Sequence, residues 1–238
     1  MSKRILVGAA AVIAIKVALL LVFRRWHLRW RATDAEVEAS LPGDDLLPAA
    51  ELVATRAIAI DAPASEVWPW LAQMGQGRGG LYSYDFLENA VARCDIHSVD
   101  HIVPEWQQVA AGDQVRIHPQ VPLDVAIAEP ERALVLRGGA PDGQPSAPYD
   151  FTWAFVLHPE PDGRTRLVMR ERYSYNNRWA PLMVEPIATV GFVMSQKMLR
   201  GVRARAEADP IAKVAGRRGA GNRLINCSSD QLPTSLNP

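Results

Sequence analysis

Two neighbouring segments of alternating residues constrain the fold of this chain more than any other feature. In residues 149–157 every second residue is aromatic or aliphatic, and residues 165–175 follow with the same two-residue period. Between them lies Pro-Glu-Pro-Asp-Gly at 159–163, whose Asp-Gly step suits a tight turn. Because alternate side chains of a strand point to opposite faces, this pair predicts an antiparallel hairpin with one apolar face.

A long amphipathic segment follows the hairpin. Apolar residues recur at every third or fourth position of residues 181–208, as on one face of an α-helix. Pro186 lies inside this segment and marks either the true start of the helix or a kink. The apolar stripe consists of Met183, Ile187, Val190, Met194, Met198 and Val202.

The segments before the hairpin complete the predicted order of elements. A β-rich run precedes a helix that Pro63 can begin, and a second helix and three short strands come next. An antiparallel sheet with its helices gathered on one face is an α+β architecture, which is the predicted fold class. The segments are residues 52–60, 64–74, 81–91, 114–118, 123–128 and 133–137.

The N-terminal segment has the composition of a membrane span. Residues 5–23 are apolar apart from Lys16, and as a helix they would extend roughly 28 Å, close to a hydrocarbon thickness of about 30 Å. Trp26 and Trp30 stand among arginines, where interfacial aromatic residues belong. The alternative is a cleaved signal peptide, but Phe-Arg-Arg-Trp-His follows the apolar core where small residues would be needed for cleavage.

The sequence therefore predicts a transmembrane anchor at residues 1–31 and a single-pass location in the cell membrane. More arginines follow the apolar run than precede it, which favours a domain on the cytoplasmic side. The rest of the chain divides into a linker at 32–49, a folded domain at 50–208 and a disordered tail at 209–238. Deletion of the anchor is then expected to release a soluble domain.

Charge is distributed unevenly, although the chain is neutral overall. Residues 1–31 carry a net charge of +7 and residues 209–238 a net charge of +2, so the residues between them sum to −9. An acidic domain argues against nucleic-acid binding, which requires a basic surface. Cys94 and Cys227 are the only cysteines and do not make a disulfide framework.

Several segments carry a family resemblance. Ala-Ile-Ala-Ile-Asp-Ala-Pro at 57–63 precedes Val-Trp-Pro-Trp-Leu-Ala-Gln-Met-Gly at 67–75, and Gly-Gly-Leu-Tyr-Ser-Tyr-Asp follows at 79–85. Together with Ile-Val-Pro-Glu-Trp-Gln at 102–107, Trp-Ala-Phe at 153–155 and the last helix, they resemble the START-like superfamily. This superfamily is also called SRPBCC, and it includes polyketide cyclases and lipid-transport proteins.

The resemblance implies a helix-grip fold, in which a curved antiparallel sheet grips a long C-terminal helix. It also implies a hydrophobic pocket between that helix and the sheet. Members of the superfamily bind lipids, sterols, polyketides or other apolar ligands, and a minority are enzymes. Fold alone does not decide between these functions.

Aromatic and methionine side chains are the candidates for such a pocket. Alternate residues of the strand at 149–157 share one face, and the last helix would place methionines, which suit adaptable surfaces, opposite them. The same side chains can equally form a densely packed core. The candidate cavity residues are Tyr82, Tyr84, Phe151, Trp153, Phe155, Met169, Glu171, Tyr173, Met183, Ile187, Met194 and Met198.

Glu171 is the polar exception on its predicted strand face, which it shares with Leu167, Met169 and Tyr173. A buried carboxylate needs a partner such as an arginine or a tyrosine hydroxyl. The carboxylate would either orient the polar end of a ligand or close a structural ion pair, and the sequence leaves both open.

A glycine cluster matches the dinucleotide-binding fingerprint in its letters. Gly75, Gly77 and Gly80 follow a predicted helix, whereas that fingerprint follows a strand and opens a helix. The cluster therefore predicts a flexible or tightly turned connection, in which Arg78 could contact an anionic group.

Cys94, His97 and His101 have spacings that metal ligands can have, but no fourth, distant Cys or His completes a site. A polar loop is the preferred interpretation, and neither a metal nor a cofactor is predicted. No Gly-x-Ser-x-Gly motif or paired nucleophile and base is present, so no residue is assigned a catalytic role.

Three functions remain open at this point. The first is a membrane-anchored protein that binds a small hydrophobic or lipid-like ligand, with no nucleic-acid partner. The second is a cyclase or hydratase acting on a polyketide-like substrate, which would need a perturbed acid–base pair in the cavity. The third is a purely structural or stress-related membrane protein with a filled core.

Overall fold

The computed structural model describes residues 3–91, 93–138 and 147–208. Its strands are β1 (Leu52–Ile60), β2 (Gln114–His118), β3 (Val121–Glu129), β4 (Ala133–Gly138), β5 (Tyr149–Pro159) and β6 (Thr165–Tyr175). They form one sheet in the order β1-β6-β5-β4-β3-β2, and all neighbouring pairs are antiparallel.

The helices lie before, between and after these strands. They are α1 (Lys3–Leu28), α2 (Asp34–Glu38), α3 (Ala64–Ala72), α4 (Asp85–Val91) and α5 (Ala180–Ala206), and two short 3-10 helices cover Asp44–Leu46 and Pro104–Trp106. The long helix α5 packs against β1, β6 and α3. The predicted α+β class is confirmed, and the sheet with its long C-terminal helix has the helix-grip arrangement.

The predicted hairpin lies inside the sheet, between β1 and β4. Strands β5 and β6 pair along their whole length, from Tyr149 opposite Tyr175 to Pro159 opposite Thr165. In the turn, Gly163 has φ +83°, a left-handed conformation that side chains rarely adopt, and its N–H donates to the Glu160 carbonyl over 3.1 Å. The Asp-Gly turn thus ends β5 and reverses the direction of the chain into β6.

The inner face of the sheet forms the main core. Ile58 and Ile60 of β1, Phe155 of β5, and Leu167 and Met169 of β6 are buried there with side chains of α3 and α5. The two-residue period of the strands accounts for this face, because the residues between them point outward.

The outer face is covered by residues 32–49, which the sequence treats as a linker. In the structure this segment contains α2 and a 3-10 helix, and Leu41 packs on Val156 and Val168 of the sheet. Gly43 lies so close to the sheet that a Cβ atom there would come within 2.5 Å of Val135, and its φ is +86°. These residues are therefore part of the folded domain.

Outward-facing arginines of β6 hold this covering segment. Arg166 binds Glu36 through two hydrogen bonds of 2.7 and 3.0 Å, and Arg170 donates to the Glu36 carbonyl and pairs with Asp44. Arginine suits this role because its planar guanidinium offers five donors in a fixed geometry.

The predicted transmembrane anchor is wrong. Within residues 3–91, 93–138 and 147–208, no helix combines the length and the apolar character needed to cross a membrane. The predicted single-pass location in the cell membrane is wrong on the same finding, and membrane association through this helix has no support. The predicted disordered tail at 209–238 lies outside the described residues.

The end of α1 joins the folded domain, which explains the aromatic residues that suggested a membrane interface. Trp30 is buried in the main core, and its carbonyl accepts a hydrogen bond of 3.2 Å from the N–H of Ala57. Arg24 pairs with Glu185 of α5 at 2.6 Å, and the rings of Trp26 and Phe192 meet edge to face at 5.1 Å.

Candidate functional site

A cavity of about 670 Å³ lies between the inner face of the sheet, α5 and residues 81–96. This volume lies within the range of small-molecule sites, which are commonly about 300–1,000 Å³. Its lining is mostly apolar and consists of Leu81, Ser83, Leu87, Glu88, Val91, Cys94, Ile96, Ile117, Phe151, Trp153, Glu171, Tyr173, Pro186, Ile187, Val190, Gly191, Met194, Ser195 and Met198.

The sheet supplies an aromatic floor. Phe151 and Trp153 of β5 lie opposite Tyr173 and Glu171 of β6, so four alternating inward side chains meet at one place. The ring centroids of Phe151 and Tyr173 are 4.8 Å apart. Burial raises the pKa of Tyr173 well above its ordinary value, and the Glu171 carboxylate adds to this, so the phenol stays neutral.

The helix α5 supplies the opposite wall. Ile187, Gly191, Met194 and Met198 recur at three- and four-residue spacing and face the cavity. A Cβ atom at Gly191 would meet no atom within 4 Å, so the missing side chain of this residue leaves open space. The cavity is thus enlarged at the middle of the helix.

The cavity opens to solvent between α4 and α5. Leu87 and Val91 of α4, and Ile187 and Val190 of α5, line the cavity and are nevertheless exposed. Large apolar side chains at an opening form a continuous apolar surface from solvent to the interior. An apolar molecule can therefore enter past these apolar side chains.

A buried ion pair lies behind the floor. Arg56 of β1 and Glu171 are 2.9 Å apart, and their side chains are 0% and 6% exposed. Ser195 of α5 donates a hydrogen bond of 3.1 Å to the Glu171 carboxylate, and Arg56 donates one of 3.1 Å to the carbonyl of His27. The prediction that Glu171 points inward and needs a partner such as an arginine is met by these contacts.

Arg56 was not predicted from the sequence as that partner. Residues 52, 54, 58 and 60 are apolar and alternate, so the same period places residue 56 on the inner face. A lone arginine on an apolar strand face was the available signal. The strand order, which puts β1 beside β6, could not be read from the sequence.

Two polar atoms in the cavity lining have no hydrogen-bond partner among the residues that the structure describes. They are Nε1 of Trp153 and Oε2 of Glu88, in residues that are 8% and 7% exposed. An unpaired buried polar group costs about 1–3 kcal/mol. Such atoms therefore mark places where a ligand can supply the missing partner.

Glu88 is an unusual carboxyl group. Burial, together with the nearby Asp85 carboxylate, raises its pKa to about 7, although the Ser83 hydroxyl acts in the opposite direction. Asp85 itself accepts two hydrogen bonds from Ser98, at 2.6 and 2.7 Å. Near neutral pH the Glu88 side chain is therefore close to half protonated.

The structure brings together seven of the twelve predicted cavity residues, which are Phe151, Trp153, Glu171, Tyr173, Ile187, Met194 and Met198. Phe155 and Met169 are fully buried core residues at the α3 end of the sheet. Their strand face was predicted correctly, but the cavity occupies only part of it.

Three other predicted residues do not line the cavity. Tyr82 is buried, and its hydroxyl donates to the Trp70 carbonyl over 3.0 Å. Tyr84 is exposed, with Lys197 over its ring at 5.9 Å, and Met183 is half-buried before the cavity-facing turns of α5. No pattern in the sequence indicated the α4 side of the cavity, where Glu88, Val91 and Ile96 lie.

The weaker motifs have structural roles among the described residues. Gly75 and Gly80 exchange two backbone hydrogen bonds of 2.9 and 3.0 Å, which makes the glycine cluster a tight turn. Arg78 donates to the carbonyls of Ala72 and Trp106 at 3.1 and 2.7 Å, so its guanidinium is engaged by the protein itself.

The Cys94 segment does not form a metal site in the described part of the chain. Cys94 is buried at the cavity, whereas His97 and His101 are exposed and contact Asp95 and Asp100. No cluster of three or more His, Cys, Asp or Glu side chains with metal-binding geometry occurs among these residues.

Comparisons with known proteins concern the fold. No family model and no curated protein matches the chain. Among solved structures, CalU16 from Micromonospora echinospora is similar at 20% identity, over 74% of this chain and 89% of that one, with a TM-score of 0.38. The hypothetical protein jhp0584 from Helicobacter pylori is similar at 12% identity, over 71% and 95%, with a TM-score of 0.46.

A third similar structure is Ara h 8.0201, at 10% identity over 66% of this chain and 99% of that one, with a TM-score of 0.42. The START-like resemblance is confirmed as a fold, because the antiparallel sheet and the helix α5 have the expected order and packing. With TM-scores below 0.5, these similarities say nothing about a ligand or an activity.

Proposed function

We propose that this protein binds a small hydrophobic ligand in the cavity between the sheet and α5. The observation that carries the proposal is an open space of about 670 Å³ with a mostly apolar lining. A chain with no ligand would gain stability by filling such a space, because interiors pack densely and each void forfeits contacts. Exposed apolar side chains at the opening support the same function.

The middle of α5 offers a direct test. Gly191→Trp should place an indole in the cavity without a backbone clash, since a Cβ atom at this position has no neighbour within 4 Å. Gly191→Ala adds only a methyl group and should stabilise the helix by about 1 kcal/mol. We expect Nile red, a bulky neutral dye, to lose at least about tenfold in affinity on Gly191→Trp and little on Gly191→Ala.

Fluorescence titration with Nile red measures these affinities. Native mass spectrometry of the purified full chain measures any ligand that is retained during purification. Equal Nile red affinity for the Trp and Ala variants, with both folded by circular dichroism, would contradict binding in this cavity.

A cyclase- or hydratase-type enzyme is the second candidate function, and Glu88 is the observation that favours it. A general acid–base group works best when its pKa lies near the operating pH, and the pKa of Glu88 is raised to about 7. Its unpartnered carboxyl oxygen borders the cavity, where it can take a proton from a bound substrate and return it. This function requires that Glu88 does titrate near neutral pH.

The pH dependence of stability reveals that titration. The folded-state pKa of Glu88 lies above the ordinary value of 4.5, so the native state holds the proton more tightly than the unfolded state. The free energy of unfolding should therefore fall as pH rises from about 4.5 to about 7, by about 3 kcal/mol in total. Urea unfolding of wild type and Glu88→Gln at pH 5 and pH 8 measures the difference.

Glu88→Gln should lose this pH-dependent contribution, whereas Glu105→Gln at an exposed position should keep it. Burial lowers the pKa of His27, which acts in the opposite direction, but that contribution is common to all three proteins. The same pH dependence in wild type and Glu88→Gln would rule out a neutral-range pKa for Glu88 and, with it, the acid–base role.

A further inference from the structure

We infer that the cavity selects an uncharged ligand with a hydrogen-bond acceptor, such as a ketone, and that Trp153 Nε1 is the donor that specifies it. This inference rests on the proposed binding function and narrows the class of ligand. It follows from one unpartnered donor and from the charges of the lining.

The donor is the indole N–H of Trp153. Trp153 lies on the floor of the cavity, is 8% exposed, and its Nε1 atom has no partner in the described part of the chain. An indole N–H can only donate, so the group that satisfies it must be an acceptor. The two serine hydroxyls of the lining are committed, since Ser83 donates to the Met194 carbonyl and Ser195 to Glu171.

The position of the indole is fixed by its neighbours. Its ring packs at a tilt against Phe155, at a centroid distance of 4.9 Å, and against Phe151 at 6.4 Å. The backbone of Trp153 pairs with Leu136 on one side and Glu171 on the other. A donor on a rigid central strand is preorganised, which lets one hydrogen bond discriminate between ligands.

The charges of the lining exclude an anionic acceptor. Two carboxyl groups, those of Glu88 and Glu171, border the cavity, and none of the described lining residues is Arg, Lys or His. The nearby cation Arg56 is already paired with Glu171 and bonded to the His27 carbonyl. Transfer of a carboxylate ligand into this space without a counter-charge is costly, whereas a carbonyl oxygen needs only the N–H.

Three probes with one carbon skeleton test this inference. They are 2-ethylnaphthalene, 2-acetylnaphthalene and 2-naphthoate, which differ in carrying no acceptor, a neutral carbonyl or a carboxylate. Their affinities for the full chain at pH 7 are measured by displacement of Nile red. We expect 2-acetylnaphthalene to bind about tenfold more tightly than 2-ethylnaphthalene, and 2-naphthoate to bind more weakly than the ketone by more than about tenfold.

Trp153→Phe removes the N–H and keeps an aromatic ring, so it should abolish the preference for the ketone over the hydrocarbon. 2-Ethylnaphthalene is the control for the smaller phenyl ring of the variant, because a change in cavity shape affects the binding of 2-ethylnaphthalene and 2-acetylnaphthalene alike. Trp179→Phe, at an exposed tryptophan outside the cavity, should keep the wild-type preference.

An unchanged ketone preference in folded Trp153→Phe would overturn the assignment of the donor. Binding of 2-naphthoate as tight as that of the ketone would overturn the selection of neutral ligands. If none of the three probes binds, the proposed binding function fails, and the inference fails with it. If 2-ethylnaphthalene binds but the ketone gains nothing, the inference alone is wrong.

Discussion

Replacement of Glu171 by leucine should lower the free energy of unfolding by about 3–5 kcal/mol. The Glu171 carboxylate is the only charged partner within 4 Å that the described residues give to Arg56, whose side chain is fully buried. Removal of the carboxylate leaves the guanidinium desolvated and without a counter-charge. Within the described residues one Arg56 nitrogen, Nη2, already lacks a hydrogen-bond partner, and Ser195 offers Nη1 only a neutral acceptor at 3.4 Å.

Removal of both charges should cost much less than removal of either one. Arg56→Leu with Glu171→Leu replaces the pair by apolar side chains, and such replacements are often close to neutral because no desolvated charge remains. Urea unfolding of the two single variants and the double variant yields the coupling free energy. An exposed pair, Arg203 and Asp61 at 3.7 Å, provides the matched control, where Asp61→Asn should cost less than about 1 kcal/mol.

Two outcomes would contradict this prediction. One is a loss below about 1 kcal/mol in Glu171→Leu, which would mean that Arg56 finds solvent or another acceptor. The other is a double variant that loses as much as the two single variants together, which would mean that the two charges act independently.

The parts of the fold that depend on the regular spacing of apolar residues along one element were predictable from the sequence. The hairpin of β5 and β6 and the helix α5 were placed to within about two residues, because each has a long, regular apolar pattern and an explicit terminator such as Gly163. The inward orientation of Glu171 followed from the same two-residue period. The partner of Glu171 could not be predicted from that period. Arg56 is 115 residues earlier in the chain and becomes the neighbour of Glu171 only through the strand order.

The candidate site was predictable only on the sheet and α5. Phe151, Trp153 and Met194 lie on regular elements whose faces can be read from their spacing. Glu88 lies on a seven-residue helix between a glycine turn and irregular chain, where the period is too short to define a buried face. Its burial depends on packing against distant residues, and no local pattern encodes that.

The N-terminal segment shows why composition alone misled the prediction. An apolar run with tryptophans and arginines at its end is typical of a membrane span, but the same residues can also pack on a protein surface. Here Trp30 enters the core beneath α5, and Arg200 lies over its ring at 5.3 Å. The aromatic residues after the run belong to the domain, which local hydropathy cannot reveal.

Removal of residues 1–31 should therefore destabilise the domain by at least about 4 kcal/mol, because burial of Trp30 alone is worth about 3–5 kcal/mol. The truncation also removes Leu28, which packs with Leu52 and Val184, and the His27 carbonyl that accepts from Arg56. The loss is a large fraction of a typical folding free energy of about 5–15 kcal/mol. Urea unfolding of the full and truncated chains measures it.

A chain that begins at Leu20 is the matched control. It lacks residues 1–19, of which residues 11–19 are all exposed, and it keeps His27, Leu28 and Trp30. Its free energy of unfolding should stay within about 1 kcal/mol of the full chain. Trp30→Ala in the full chain should reproduce most of the loss on removal of residues 1–31, since it empties the same part of the core. Equal stability of the two truncated chains would show that the end of α1 contributes nothing to the domain.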